Sequence, residues 1–523
     1  MLTWRRTLIL VILGLMISGG IAYFQHSPGY MDADYYLAGG LQLATGKGFT
    51  EPYLWNYLDN PAGLPHPSHA YWMPLASILA ALGMKLTGQN TWLAGRIGFL
   101  VIAASIPIVT STLAYTLLKR RDLAFISGLL AIFSGFYAAF IPVTDTFGIY
   151  MLLGGIFFMV AYRQDNWRNF ILGVTAGFMH LARADGIVWL LVSFLVILFI
   201  PTDGKTQPKL LTNIISLSIC VFGYILIMGA WFVRNDLVFG SFLAPGGESQ
   251  FWLTQYNQLF SYQPESITFN SWLQNGIMEA LKVRLWALNM NLQNTIASQA
   301  SVFLLPLIMI GAWKLRKNPC VIIAFITWIG YIVLMSIIFP FAGARGGFFH
   351  SGAALQPMWW ALAPVGLVTL VEWVGKKRAW NVAEASRIFL VGSVGLSILL
   401  TVIIVIGKLF SPVDGGNIWS YEYNLYREVN TKMINSDNLL NPIVVVANPP
   451  GFYLASSKNA IAIPDGDEQA TLLVARRYDA SYLILEEGGF PDGLIGLYQN
   501  PGQYPNFHFL GEVEGARVFR IDP

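Results

Sequence analysis

Cysteine is almost absent from the 523 residues: only Cys220 and Cys320 occur, each inside an apolar run. Two such thiols build no disulfide framework and read as packing residues. Charge is scarce as well. Asp, Glu, Lys and Arg make up 12% of the chain, about half the share of a typical soluble domain, which excludes an ordinary soluble protein. No basic cluster is interleaved with base-stacking aromatics, so nothing resembles a nucleic-acid footprint. The C-terminal part has no phosphate-cradling glycine loop and no metal-ligand spacing. A convincing internal repeat, which an inverted-repeat transporter would carry, is also missing.

What is present in quantity is apolar sequence. Hydrophobic residues make up 55% of the chain and the mean hydropathy is +0.54. Many runs reach the roughly 20 residues that cross a bilayer, which predicts an all-α polytopic membrane protein. The charge divides it further. Residues 410–523 hold 14 of the 29 acids and 7 of the 32 basic residues, leaving 25 basic against 15 acidic in the first 409. A basic membrane domain over 1–409 and an acidic extracytoplasmic domain over 410–523 are therefore expected. In the latter, NPIVVVAN, AIAIP, SYLILEE and ARVFRI read as short strands, and EYNLYREVNTKMI and DEQATLLVARRY as helices, giving a small α/β domain with a lid or docking role.

Positive-inside counting sets the order of the membrane part. Trp4, Arg5 and Arg6 precede an apolar run from Leu8 to Phe24 with no small-residue exit site, an uncleaved first helix with a cytoplasmic N-terminus. Ten further spans follow at about 92–118, 123–141, 146–162, 168–182, 187–201, 210–232, 300–314, 319–341, 353–374 and 386–408. Segment 69–88 is expected at the external interface, since a span there would put Lys119, Arg120 and Arg121 outside. The first external loop is then 25–91 and the second 234–297, and the odd total of eleven places the C-terminal domain outside.

Under this topology the remaining ionisable residues collect on one face: Asp32, Asp34, His66, His69, Lys85, Arg96, Asp145, Arg183, Asp185, Arg234, Arg345 and His350. Charge at membrane depth is costly and usually functional. Each has a plainer reading beside the functional one. Asp32 and Asp34 suit a helix N-cap as well as acid–base work. His66 and His69 stand at i, i+3 with a proline between them and no adjacent carboxylate cluster, which favours interface histidines over a ligand pair. Arg183 and Asp185 suit a mutual ion pair, Arg234 a helix anchor, and Arg345 with His350 either a headgroup contact or a glycine-rich turn. Tyr35 and Tyr36, beside the two acids, are candidate substrate contacts. Together the set supports transfer from an anionic lipid carrier. A carboxylate takes the proton of an acceptor hydroxyl, and cations, Arg234 and Arg345 foremost, hold the departing phosphate. The residues demand no cofactor and leave room for a divalent metal.

In order along residues 1 to about 410, DADYYLAGG, GKGF, HPSHAYWMPL, LARADG, AWFVRNDLVFGS and GARGGFFHSGAAL resemble the integral-membrane GT-C glycosyltransferases. The resemblance is to the branch of protein O-mannosyltransferases and lipid A aminoarabinose transferases. It implies a polyprenyl- or dolichyl-phosphate sugar donor, a lipid, glycan or protein acceptor, juxtamembrane helices in the first loop, inversion at the anomeric carbon, and an inner-membrane location. Matched on Tyr36, Asp32 falls at the family's catalytic aspartate and Ala33 where glutamate is usual, with Asp34 in reserve as second carboxylate. Where relatives carry Lys-Pro-Pro or His-Pro-Pro this chain has His66-Pro67-Ser68, so Lys85 or Arg96 stands in for the phosphate-contacting lysine. A lipid-polymer ligase and a transporter or flippase of lipid-linked sugars are the alternatives.

Overall fold

The computed structural model describes residues 2–200, 210–410, 419–435, 439 and 441–522. The membrane part begins with α1 (Trp4–Phe24), followed in the first loop by α2 (Met31–Ala44) and α3 (Leu75–Thr87). Then come α4 (Trp92–Leu118), α5 (Arg121–Ile132), α6 (Thr146–Ala161), α7 (Arg168–Ala182), α8 (Val188–Phe199) and α9 (Leu210–Phe239). The second loop forms α10 (Phe269–Gln274) and α11 (Ile277–Asn294). Next are α12 (Leu304–Lys314), α13 (Pro319–Val333), the turns α14 (Pro340–Ala342) and α15 (Phe348–Ala353), α16 (Gln356–Arg378) and α17 (Val382–Phe410).

Every expected span contains a helix, but the expected lengths are not all met. Among the described residues six helices are long and apolar enough to cross a membrane, or seven if the pair Ile277–Gln299 and Leu304–Lys314, bent by 91°, counts as one. At about 1.5 Å per residue, the 12 residues of α5 and of α8 fall short of a bilayer core of roughly 30 Å. The apolar run of 123–141 does not continue as helix: it breaks at Phe133 and re-forms as a short 3₁₀ turn, Gly135–Ala139, whose residues pack within the protein. Apolar sequence here serves burial against protein rather than against lipid. The outer helices behave in the opposite way, with Ile214, Phe222 and Leu226 of α9 and Ile388, Val391 and Ile403 of α17 exposed. The thirteen-residue α3 is too short to cross and packs on α2 and α4. This is a multi-pass membrane protein.

The four strands expected near the C-terminus all form: β4 (Ile443–Val446), β5 (Ala460–Ala462), β6 (Ala480–Leu485) and β8 (Ala516–Ile521), after three two-residue strands of the first loop, β1 (Thr50–Glu51), β2 (Tyr53–Leu54) and β3 (His66–Pro67), of which β1 and β3 pair with each other. A strand not foreseen, β7 (Phe507–Val513), closes the far edge. The sheet runs β2-β5-β4-β6-β8-β7, with β2, β5, β4 and β6 parallel and the last two antiparallel. Helices α18 (Tyr421–Val429), α19 (Pro449–Ser456) and α20 (Glu468–Tyr478) accompany it. Residues 410–523 therefore do not build this sheet alone. Tyr53 and Leu54 of the first loop form its edge, in register with Ala460 and Ile461. Tyr57 Oη donates to the carbonyl of Ala462, and Tyr478 Oη donates to that of Pro61 at 2.9 Å.

Candidate active site

The site is organised on α2. Tyr30 at its N-cap is extended, so the helix opens with Asp32 and Asp34 in its first turn. Gly39 and Gly40 set its position. A Cβ at Gly39 would meet Ser77 Oγ at 2.7 Å and one at Gly40 would meet the Ala80 Cβ at 2.7 Å, so only glycine lets α2 lie this close on α3. Residues two apart on a helix point about 200° apart, and the two acids part company accordingly. Asp32 lines a cavity of about 420 Å³. Asp34 is buried on the opposite face, where its Oδ2 accepts from Asn448 Nδ2 at 2.8 Å.

At the cavity end Asp32 meets two groups from distant segments. His350 Nε2 is 4.0 Å from Asp32 Oδ2 and 3.0 Å from Asp145 Oδ2. Asp145 is buried, caps α6 through the Thr146 amide, and also accepts from Tyr30 Oη at 2.6 Å. The His350 ring stacks on Phe147 at 3.8 Å between centroids, and its Nδ1 lies 2.9 Å from the carbonyl of Gly346. A carbonyl only accepts, so the bond to Gly346 places a proton on Nδ1. Burial, reinforced by the Asp145 charge, raises the Asp32 carboxyl to about 6 against the pull of His350 and Arg183. For Asp145 burial acts upward, but His350, Tyr30 and the Thr146 amide together hold it below the ordinary carboxylate range.

These three residues also fit a divalent cation. One ligand atom from each of Asp32, Asp145 and His350 lies within 4.8 Å of the others, and carboxylate oxygens with one imidazole form a mixed set that such ions accept. The Gly346 carbonyl would fix the His350 tautomer, holding the proton on Nδ1 and turning the Nε2 lone pair toward the two acids.

Cations approach from two sides. Arg183, between α7 and α8, lines the cavity and its Nε donates to Asp185 Oδ1 at 2.8 Å; Asp185 is held in turn by the Ser351 hydroxyl. Arg345 lies where the helix is broken, with Gly346 at φ +123°, a conformation open to glycine. It is exposed, lies over the Tyr256 ring at 4.6 Å and, among the described residues, makes no hydrogen bond or ion pair. Tyr36 lines the same cavity, as do Trp55 and Trp72, stacked at 4.1 Å, and apolar side chains such as Phe242, Leu243 and Phe339.

Several sequence candidates lie elsewhere. Arg234, expected to pair with Arg345, does not line the cavity: it donates to the Ser68 carbonyl at 2.8 Å and sits against the rings of Trp231 and Phe239, so it ties down the first loop. Arg96 is fully buried and spends its guanidinium on Ala22, Gln25 and Pro142. Lys85 is exposed at the end of α3, away from the cavity. Neither lines the cavity that holds Asp32. His66 bonds Asp59 at 2.7 Å. His69 is buried between the hydroxyls of Ser68 and Ser77, and burial lowers its pKa to about 3. Tyr35 donates to Glu51 at 2.9 Å and accepts from the His69 amide, so it shapes the loop instead of facing the cavity. Tyr30, Ser351 and Tyr256 escaped the sequence reading, because nothing local marks a hydroxyl or ring whose partner lies in a distant segment.

No protein-family model and no curated protein matches the chain. Solved structures do. The archaeal oligosaccharyltransferase AglB from Archaeoglobus fulgidus, in complex with an inhibitory peptide and a dolichol-phosphate, superposes with a TM-score of 0.58 at 11% identity, covering 99% of this chain and 74% of that one. The same enzyme in complex with zinc and sulfate gives 0.56 at 12% identity over 94% and 68%. ArnT from Cupriavidus metallidurans in the apo state gives 0.54 at 12% identity over 98% and 97%. At such identities the likeness speaks for architecture, and the architecture is shared along nearly the whole chain: this protein has the GT-C fold.

Proposed function

We propose that the chain is a glycosyltransferase. It moves a sugar from a polyprenyl-phosphate donor to an acceptor hydroxyl at the extracytoplasmic face of the inner membrane, with inversion at the anomeric carbon. The observation that carries this reading is the cavity itself. Asp32, His350, Arg183 and Arg345 stand on its wall together with apolar side chains from α9 and the α13–α14 region. A lipid-linked phosphate sugar has matching parts, an apolar tail and a charged head. AglB was solved with a dolichol-phosphate and ArnT shares the fold, which adds support for a lipid-linked donor.

Asp32 takes the proton of the acceptor hydroxyl while that oxygen bonds to the anomeric carbon. The bond from that carbon to the phosphate oxygen breaks, and its electron pair leaves with polyprenyl phosphate. A carboxyl raised to about 6 is a stronger base than an exposed aspartate and is still mostly ionised at pH 7. Arg345 offers the departing phosphate a guanidinium without a competing partner, and Arg183 adds positive charge beside it. A divalent cation held by Asp32, Asp145 and His350 would supply further positive charge to the same phosphate.

The test uses purified protein in lipid nanodiscs, offered radiolabelled mannosyl-, glucosyl- and aminoarabinosyl-polyprenyl phosphates. Release of polyprenyl phosphate that is lost in Asp32→Asn is the expected result. Turnover of nucleotide sugars alone, or solute movement without bond cleavage, would reject the assignment.

A further inference from the structure

A second cavity, of about 350 Å³, lies between the C-terminal domain and the second loop. Its floor is the carboxyl end of three adjacent parallel strands. Ala447 follows β4, Ile463 and Asp465 follow β5, and Gly488 to Pro491 follow β6. In open α/β sheets this edge is where ligands bind, because the loops leaving the strands diverge there. The opposite wall is Tyr256, Asn257 and Phe260, held to the sheet by the Asp465 amide donating to the Phe260 carbonyl at 3.0 Å. Tyr256 and Arg345 line both this cavity and the one containing Asp32. The two spaces therefore adjoin.

The lining has a particular chemistry. Asp465 is half-buried and its carboxylate makes no hydrogen bond or ion pair among the described residues. Burial raises its pKa, the mark of an anion short of donors. Asn257 likewise makes no side-chain hydrogen bond among the described residues. Phe260 and Phe490 supply rings, and Gly488 leaves bare backbone, with nothing within 4 Å of where its Cβ would stand.

We propose that this second cavity is the acceptor site and that it takes an uncharged sugar ring. The proposal rests on the glycosyltransferase reading for the word acceptor, but not for the binding itself. A pyranose presents neighbouring hydroxyls, which a free carboxylate accepts in pairs, and a polarised C–H face, which packs on the negative face of an aromatic ring. With Arg345 on the same lining, Asp465 leaves the cavity without net charge, which suits an uncharged ring, whereas Arg183 and Arg345 stand together only in the first cavity, where the donor phosphate is placed. An extended peptide is disfavoured because β5, β4 and β6 are interior strands and offer no free edge to pair with. The volume lies at the lower end of the roughly 300–1,000 Å³ of small-molecule sites.

The test is saturation-transfer NMR on the full chain in nanodiscs with methyl α-glucopyranoside, methyl α-mannopyranoside and methyl N-acetyl-β-glucosaminide, and separately a Ser/Thr pentapeptide. At least one glycoside should show ring-proton saturation that falls threefold or more in Asp465→Asn and in Phe490→Ala, and that persists in Asp32→Asn. Should Asp465→Asn fail to fold, Phe490→Ala and Asn257→Ala decide on the same criterion. No saturation with any glycoside, saturation unchanged by both folded variants, or Asp465-dependent binding of the peptide instead would overturn the proposal. Asp465-dependent glycoside binding in a protein that releases no polyprenyl phosphate from any donor would leave the sugar site standing and remove the glycosyltransferase reading. Release of polyprenyl phosphate without such binding would do the reverse.

Discussion

At the scale of single residues, Asp32 and Asp34 are separated by one alanine, yet they face different domains. Helix geometry makes that parting inevitable; the direction of each needed the packing of α2. Asp32→Asn keeps the shape and removes the base, so transfer should fall by roughly the 10²–10⁴-fold of a lost general base, with melting temperature unchanged. Asp34→Asn should retain transfer within a few-fold, and equal loss in both variants would refute the distinction. Among the cations, Arg345→Lys keeps the charge but loses the planar fork, so the departing polyprenyl phosphate should bind several-fold more weakly in a direct titration. Arg234→Ala should instead lower the melting temperature and leave donor affinity nearly unchanged, since its guanidinium serves the Ser68 carbonyl and two aromatic rings.

At the scale of elements, close backbone approach does much of the positioning. A Cβ at Gly366 of α16 would stand 1.8 Å from the Leu307 carbonyl oxygen of α12, and one at Gly311 of α12 would stand 2.2 Å from that of Leu362. The two helices touch backbone to backbone through reciprocal glycines, as small-residue contacts allow in membranes. Gly366→Val should therefore cost at least the 1–3 kcal/mol typical of overpacking, read as a lower melting temperature or loss of folded protein, while Gly407→Val, with open space around it, should be tolerated. Hydropathy located these helices because it reports the apolar content of a segment. It could not locate the break at Phe133 or the kink at Gly346, because an apolar run looks the same whether lipid or protein covers it. Those breaks are what bring Asp145, Arg345 and His350 toward Asp32.

At the scale of the whole molecule, the C-terminal domain is joined to the membrane part by a sheet edge and by a group of acids. Tyr426 Oη lies 2.9 Å from Glu422 Oε1 and 2.6 Å from Glu486 Oε1, one hydroxyl proton for two carboxyls. Burial, with Glu422 adding repulsion, raises Glu486 from its ordinary 4.5 to about 8, and burial with the Glu422 charge also raises Asp34. An acid whose folded pKa is raised favours the folded form when protonated. Its contribution is full below about 4.5 and is lost as pH rises through about 8. The melting temperature of the full chain should accordingly fall between pH 5 and pH 8, and Glu486→Gln should flatten that slope. A flat profile in the parent protein would exclude this linkage.

Sequence by itself determined the class of the molecule: a polytopic helical protein with a small α/β domain, four of whose strands were readable from β-branched runs. It also determined that the unusual charges gather near the first loop, Arg183, Arg345 and His350, because bilayer energetics make such residues conspicuous wherever they occur. Only the tertiary structure decided which of them meet. It set Asp145 and His350 against Asp32, gave Arg96, His66, His69 and Arg234 to the framework, and drew Tyr53 and Leu54 into a sheet whose other strands begin almost four hundred residues later. The physical reason is range. Transfer free energy and backbone preference are properties of a segment and can be read along it, whereas a shared site is a set of contacts between segments, fixed by close packing that no local pattern encodes.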